Sequence, residues 1–282
     1  MEQVEEARAG ARAFPAYGMA GAFVSFAEQG RSTMLEVLAL HEPENRDVSL
    51  PDYPYIVEQT AVQKGHRTHA TVCKTYEMEA LRERLLSAGA DFRWDEPTES
   101  LRRPRLWIGY GPDGMYRPEF DAGLRLEFWE PYQGRDAELS VATGEEPALF
   151  LGVESSLYLV DDLDVATAQL ERNLLWLPQR RWLTPEGEFA EYGFEDKRSA
   201  TIQLLCPPGT GTRTDRDHRR WGSGAYYLRF VVSDLEASCE HLRGGGAPFT
   251  LGDCSDGSGR PAVRIGETTP ETGCYELVEI PS

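Results

Sequence analysis

The stretch HATVCKTYEMEALRERLLSAGADF at residues 69–92 decides the fold, because YLRFVVSDLEASCEHLRGGGAPF at 227–249 repeats its pattern. Each stretch opens with alternating apolar and polar residues, which predict a strand. Each then passes into a helical pattern that ends at glycine, the residue that most often terminates a helix. The chain therefore contains an internal repeat whose unit begins with a strand and a helix.

Short strand patterns follow the helix in each copy. They are FRWDEP, RLWIGY and LRLEFWE after the first stretch, and FTLGD, AVRIGE and CYELVEI after the second. A third copy begins at Ser155 with the strand SSLYLVDD and the helix LDVATAQLERNL, and it continues with PQRRWLT, GEFAEYGFE and ATIQLLCP. The repeating unit is thus predicted to be βαβββ.

Two details of the helices can be predicted as well. In the third copy, one face carries Leu163, Ala166, Leu170 and Leu174, at the spacing of a buried helical stripe. Asp162 and Asp234 each precede a predicted helix by one residue. An aspartate there can accept hydrogen bonds from free backbone amides, so both are predicted to be helix caps and not catalytic groups.

The first quarter of the chain departs from the pattern. EQVEEARAGARAF is predicted to be a helix, and AFVSFAEQG and STMLEVLAL to be a pair of strands. The opening strand of this unit is missing. Either it is absent, or another segment or a neighbouring chain takes its place, as it would in a homodimer.

Periodicity lapses at three linkers: HEPENRDVSLPDYP, PYQGRDAELSVATGEEPA and PPGTGTRTDRDHRRWGSG. The last of these contains His218 and is predicted to be a charged loop. The second divides the chain into an N-terminal domain at 1–132 and a C-terminal domain at 150–282. The predicted fold class is therefore α+β, with four βαβββ modules paired into two domains.

Paired βαβββ units in which VVSDL or LVDDL enters the helix, and in which LEFWE or CYELVEI forms the last strand, resemble the vicinal oxygen chelate superfamily. That superfamily includes glyoxalase I, bleomycin-resistance proteins, fosfomycin-resistance transferases and extradiol dioxygenases. The resemblance implies that two modules form a curved sheet around a cup. Because many unrelated activities share this fold, it does not by itself decide the function.

The resemblance also implies where ligands would come from, namely the start of each first strand and the middle of each last strand. In the N-terminal cup these positions hold Glu36, His69 and Glu127. The C-terminal cup receives a different set, which is Ser155, Gln203, Tyr227 and Glu276.

The two sets imply different chemistry. A histidine with two carboxylates suits a divalent metal ion such as Fe, Mn, Zn, Ni or Co, with an open position for a chelating substrate. In that site a metal would polarise a carbonyl, and Glu36 or Glu127 would move a proton. The same residues could equally face solvent, because a shift of one residue in register turns a side chain to the opposite face. The C-terminal set lacks histidine, and it suits a hydrogen-bonded organic ligand or a structural role.

Composition excludes some partners. The net charge of −18 repels phosphate backbones, so nucleic acid is not an expected partner. No apolar run approaches the roughly 18 residues of a membrane span, and the acidic N-terminus lacks the pattern of a secretory signal. The five cysteines are scattered and odd in number, which is typical of reduced thiols. These features favour a cytoplasmic protein.

Three functions are compatible with this sequence. The first is a metal-dependent lyase, isomerase or dioxygenase that acts on a small oxygenated substrate. The second is a binding protein of the bleomycin-resistance type, which would sequester a cationic or drug-like metabolite and which the acidic composition favours. The third is a member that acts without metal, through acid–base side chains. All three have a small molecule as the partner.

Overall fold

A computed structural model describes residues 70–97, 103–130, 149–194, 199–266 and 274–280, together with the backbone of three N-terminal strands. Those strands are β1 (Arg12–Phe14), β2 (Met19–Phe26) and β3 (Thr33–Leu40). They form an antiparallel sheet in the order β1-β2-β3. The predicted pair of strands is confirmed, but the predicted helix is wrong at 12–14, because these three residues pair with β2. The remainder of that predicted helix lies outside the described residues.

The second module has the predicted order of elements. These are β4 (Thr71–Lys74), α1 (Met78–Ala88), β5 (Phe92–Asp95), β6 (Arg105–Ile108), a short 3₁₀ helix (Pro118–Phe120) and β7 (Leu126–Trp129). Its four strands form one sheet in the order β4-β7-β6-β5. Helix α1 ends at Gly89, whose φ of 65° is a left-handed conformation that favours glycine.

The third and fourth modules share one larger sheet. The third contains β8 (Phe150–Leu159), α2 (Leu163–Leu174), β9 (Arg180–Thr184), β10 (Gly187–Tyr192) and β11 (Thr201–Cys206). After an intervening helix α3 (Arg213–Trp221), the fourth contains β12 (Gly224–Val232), α4 (Leu235–Gly244), β13 (Phe249–Asp253), β14 (Pro261–Ile265) and β15 (Cys274–Glu279).

The eight strands are ordered β13-β14-β15-β12-β8-β11-β10-β9. The first strands of the two modules, β8 and β12, lie antiparallel at the centre, and each is flanked by the last strand of its own module in parallel. The sheet therefore consists of two βαβββ units related by a pseudo-twofold arrangement. This α+β architecture is the predicted one, and it places the predicted site positions of both modules on the central strands. The division of the whole chain into domains at 1–132 and 150–282 stays a prediction.

Both predicted helix caps are confirmed. The carboxylate of Asp162 accepts a hydrogen bond from the amide of Val165, and that of Asp234 accepts one from the amide of Ala237. The predicted apolar face of α2 is buried in full. It packs against the apolar face of α1 and the strands beneath it, so the second and third modules share one hydrophobic core.

One predicted loop is a helix. The segment that contains His218 forms α3, because Thr212 and Asp215 make a capping box in which each side chain bonds to the backbone of the other. The polar composition predicts a linker here, but the capping box starts a helix, and the arginines of its last turn, Arg219 and Arg220, are exposed. Within the described part of the chain, no helix is long and apolar enough to cross a membrane.

Candidate ligand-binding cup in the C-terminal sheet

The four residues predicted for the C-terminal cup lie on the four central strands of the eight-stranded sheet and are all buried. The relative exposures are 1% for Ser155, 2% for Gln203, 6% for Tyr227 and 2% for Glu276. Leu157 on β8 is paired with Tyr227 on one side and with Gln203 on the other, so these side chains share a face. That face is opposite to the helices, which makes it the concave one.

Three of these residues carry polar atoms that have no hydrogen-bond partner in the described structure. They are the Ser155 hydroxyl, the Gln203 side-chain carbonyl and the Tyr227 hydroxyl. Buried polar atoms almost always have a partner, and each unpaired one costs about 1–3 kcal/mol. Three such atoms on one face of neighbouring strands make this face a candidate binding site for a polar molecule.

The amide of Gln203 is held in a fixed orientation. Its nitrogen donates to Glu191 at 2.7 Å, and only the nitrogen can donate to a carboxylate. Arg180 in turn donates to both carboxylate oxygens of Glu191, at 2.8 and 3.1 Å. Because this chain of bonds fixes the amide, its carbonyl oxygen is presented to the cup as an acceptor only.

The hydroxyl of Tyr227 is neutral over the whole physiological range. Burial, followed by the negative charge of Glu276, raises the pKa of Tyr227 well above its usual value. The adjacent Tyr226 differs, since its hydroxyl donates to Asp217 on α3 at 2.6 Å. Tyr227 can thus donate or accept a hydrogen bond, but it does not serve as a base.

Glu276, the fourth predicted residue, is fully engaged by the protein. Arg229 on β12 donates through Nε to one carboxylate oxygen, Oε2, at 2.6 Å. The other oxygen, Oε1, accepts hydrogen bonds from the amide and the hydroxyl of Ser255, both at 3.0 Å, and from Arg264 on β14 at 3.3 Å. The carboxylate therefore connects β15 to β12, to β14 and to the loop that contains Ser255, and all its contacts are with the protein in this structure.

A loop between β13 and β14 lies against the same face. Within it, Cys254, Ser255 and Asp256 are buried, and Asp256 forms an ion pair with Arg229 at 2.6 Å. Burial alone would raise the pKa of Asp256, but the positive charge of Arg229 and hydrogen bonds from Ser258 lower it. The loop is consequently anchored to the floor of the cup by buried charges.

The C-terminal cup does not fit a metal ion. Ser155, Gln203 and Tyr227 are poor metal ligands, and Glu276, the one carboxylate in the set, is neutralised by Arg229. Among the residues that the structure describes, no group of three histidine, cysteine, aspartate or glutamate side chains is arranged to hold one.

The residues predicted for the N-terminal cup are only partly described. Glu127 lies on β7, on the face away from the helices, and is 5% exposed. Its carboxylate accepts a hydrogen bond from Trp129 at 2.5 Å and lies 3.5 Å from Arg105. Glu36 is on β3, but its side chain lies outside the described residues, as does His69. That Glu36, His69 and Glu127 lie together in one cup stays a prediction.

Sequence reasoning missed Arg229, Glu191 and Asp256. A signal for the first was present, because Arg229 is a lone charge in the apolar run YLRFVV, two residues after Tyr227 and therefore on the same face. Glu191 and Asp256 had no such signal. They come from a neighbouring strand and a loop, and only the pairing of the sheet brings them to the cup.

Comparison with solved structures gives matches to methylmalonyl-CoA epimerases. One from Mycobacterium tuberculosis is 23% identical over 52% of this chain and 96% of its own, with a TM-score of 0.43. A variant from Streptomyces coelicolor, in complex with 2-nitronate-propionyl-CoA, is 15% identical over 48% of this chain and 100% of its own, with a TM-score of 0.41. No protein-family model matches the chain, and no curated protein matches it.

The order of strands in the eight-stranded sheet defines the fold class. Two βαβββ modules whose first strands meet at the centre of one curved sheet are the arrangement that the resemblance implied. The strand order of this sheet is thus that of the vicinal oxygen chelate fold.

Proposed function

We propose that the C-terminal cup binds a small, uncharged organic molecule through Ser155, Gln203 and Tyr227. The observation that carries this proposal is the set of three buried polar atoms that lack partners in the described structure and share one concave face. A ligand that paired with them would recover the free energy that each unpaired atom costs.

The hydrogen-bonding pattern restricts the ligand. The carbonyl oxygen of Gln203 requires an N–H or O–H donor, whereas the hydroxyls of Ser155 and Tyr227 accept or donate. A molecule with both kinds of group, such as an amide, a hydroxy-ketone or a nitrogen heterocycle, meets these demands. Leu157, which lies between Tyr227 and Gln203, adds an apolar contact.

The charges around the cup support an uncharged ligand. Arg229 pairs with Glu276 and Asp256, Arg260 pairs with Glu154 at 2.9 Å, and Arg264 shares Glu276. Each of these charged side chains thus has a partner of opposite sign. A charged ligand would lose its hydration on entering the cup and would find no unpaired charge there to compensate for that loss. The cationic metabolite that the overall charge suggested is therefore less favoured at this site than a neutral one.

The test uses a library of small fragments grouped as neutral, anionic and cationic, measured by the shift in melting temperature of the full chain. We expect neutral fragments that carry both donors and acceptors to raise the melting temperature. Tyr227→Phe should bind the same fragments at least tenfold more weakly and should therefore show a smaller shift. Tyr192→Phe is the matched control, because Tyr192 also has a buried hydroxyl without a partner but packs in the core beneath the helices.

A second readout does not depend on finding the ligand. Removing a buried hydroxyl that has no partner should leave the stability of the ligand-free protein unchanged or higher. Tyr227→Phe is expected to fold with a melting temperature at least equal to that of the unmodified protein. A large loss of stability, with no fragment bound by the unmodified chain, would contradict the proposal.

The N-terminal half supports a second candidate function, a metal-dependent lyase, isomerase or dioxygenase. It is favoured by the burial of Glu127 on the face of β7 that lies away from the helices, where the resemblance assigns a ligand. His69, Glu36 and Glu127 would together hold the divalent ion, which would polarise a substrate oxygen when bound. Glu127 or Glu36 would move the proton.

Elemental analysis tests this candidate on protein purified without chelator. About one equivalent of Fe, Mn, Zn, Ni or Co is expected, with loss of the metal in Glu127→Gln and His69→Ala. Glu130→Gln, three residues further along the chain, is the matched control. Unmodified protein that contains no divalent ion and is not stabilised by added metal would exclude this function.

A further inference from the structure

Three acidic side chains from three separate segments converge on a single guanidinium in the C-terminal cup. Arg229 lies 2.6 Å from both Glu276 and Asp256 and 3.5 Å from Glu154. Glu276 comes from β15, Asp256 from the loop between β13 and β14, and Glu154 from β8. The chain thus places three carboxylates around the guanidinium of Arg229. Two of them have a second arginine partner nearer the rim, since Glu154 also pairs with Arg260 at 2.9 Å and Glu276 with Arg264 at 3.3 Å.

This charge is inside the protein and not at its surface. The side chain of Arg229 is 1% exposed, and those of Glu276 and Asp256 are 2% and 6% exposed. An unpaired carboxylate at such a depth would be strongly unfavourable, and two would repel each other. The guanidinium supplies a buried positive charge within 2.6 Å of both carboxylates, which offsets the cost of their burial.

The position of Arg229 in the sheet is also informative. Its neighbour on one side is Ser155 and on the other Glu276, which are two of the residues that the resemblance assigned to the ligand set. The guanidinium of β12 therefore lies level with Ser155 on β8 and Glu276 on β15, which is where a cation bound by those two residues would lie.

We infer that Arg229 takes the place of a divalent cation in the C-terminal cup and makes that cup independent of metal. The arginine supplies the positive charge that the acidic groups require, and it is covalently attached, so the charge does not depend on metal concentration. This inference deepens the proposed function, because it assigns the cup to an organic ligand alone.

Among the described residues, these three carboxylates are spaced around the guanidinium and not around a metal ion. When the arginine is removed, we expect them to rearrange around a hard divalent ion, because such ions prefer oxygen ligands. The test adds MnCl₂ to the unmodified full chain and to Arg229→Met, and measures the melting temperature and the Mn²⁺ bound by electron paramagnetic resonance. Arg229→Met is expected to bind about one equivalent more than the unmodified chain. A Kd of about 10 μM would raise its melting temperature by about 5 °C in 1 mM Mn²⁺.

Two further variants test whether the additional Mn²⁺ is bound by the carboxylates around Arg229. Arg229→Met combined with Glu276→Gln should lose the additional equivalent, whereas Arg219→Met, at an exposed arginine of α3, should behave as the unmodified chain. Mn²⁺ bound to the unmodified chain and lost in Glu276→Gln alone would overturn the inference, and so would a folded Arg229→Met that binds no additional Mn²⁺.

The experiment remains decisive if Arg229→Met does not fold. In that event, the comparison of the unmodified chain with Glu276→Gln still reports whether the native cup binds Mn²⁺. Its outcome is also separate from that of the proposed function, since the fragment measurements on Tyr227→Phe involve neither Arg229 nor Mn²⁺.

Discussion

The indole nitrogen of Trp182 donates a hydrogen bond to the carbonyl oxygen of Asp256 at 2.7 Å. Trp182 lies on β9, one edge of the eight-stranded sheet, and Asp256 lies in the loop beside β13, the opposite edge. This bond therefore joins the two edges, and it shows that the sheet curves far enough for the third and fourth modules to meet around the cup.

Trp182→Phe should remove this hydrogen bond, because phenylalanine has no N–H group, while it still fills most of the space. The ring stacks on Phe189 with centroids 5.0 Å apart, and phenylalanine can retain that packing. We expect a loss of about 1 kcal/mol in the free energy of unfolding, together with faster amide exchange at 254–259. Hydrogen–deuterium exchange measures this. Unchanged exchange in that loop would show that the bond does not restrain it, and Leu183→Ala, at a neighbouring exposed residue, is the control.

The buried ion pair predicts a large effect for Glu276→Gln. Loss of this carboxylate leaves Arg229 short of one partner in a site that excludes water, which should cost about 3 kcal/mol. Urea unfolding followed by tryptophan fluorescence measures the difference. Glu279→Gln, at an exposed position of the same strand, should change stability by less than about 0.5 kcal/mol. Equal effects of the two variants would contradict the assigned role.

Asp121 predicts a dependence of stability on pH. Burial raises its pKa to about 7, although hydrogen bonds from Tyr116 and from the amides of Leu126 and Gly123 oppose the rise. Because the folded state binds the proton more tightly than the unfolded chain, the contribution of this group falls as pH rises from about 4 to 7. We expect the melting temperature of Asp121→Asn to decline less over that range than that of the unmodified chain. Asp253→Asn, which is exposed, should retain the original slope.

Asp215 predicts the opposite dependence. Burial would raise its pKa, but hydrogen bonds from Gly209, Thr212 and Gly211 outweigh it and lower the pKa to about 2. The stability that this carboxylate contributes is present above the unfolded pKa of about 4 and is lost as pH falls through 2. Asp215→Asn should therefore lower the melting temperature at pH 7 and have little effect at pH 2. An equal decrease at both values would show that its charge is not responsible.

Two glycines provide a matched pair of backbone tests. A Cβ atom at Gly187 would overlap the carbonyl oxygen of Cys206 on the paired strand, and φ is 138°. At Gly244, near the end of α4, the same atom meets nothing within 4 Å. Gly187→Ala should destabilise the protein by more than 1 kcal/mol, whereas Gly244→Ala should be neutral or stabilising. Chemical denaturation of both variants measures the contrast.

The sequence by itself determined the order of elements in the last three modules and the residues at their centres. Alternation in strands, the apolar stripe of α2 and the aspartate caps are local properties, so they can be predicted from residues close together in the chain. The resemblance, and not a local rule, assigned Ser155, Gln203 and Tyr227 to one cup, and the pairing of β8 with β11 and β12 brings Gln203 and Tyr227 to one face beside Leu157.

Local rules failed where the decisive partner is distant in sequence. Residues 12–14 form a strand because β2 pairs with them, and α3 forms because its capping box outweighs a polar composition. Only the tertiary structure decided that Arg229, Glu276 and Asp256 meet. Their separation in the chain carries no signal, and their burial strengthens the attraction between them, because charges interact more strongly where water is excluded.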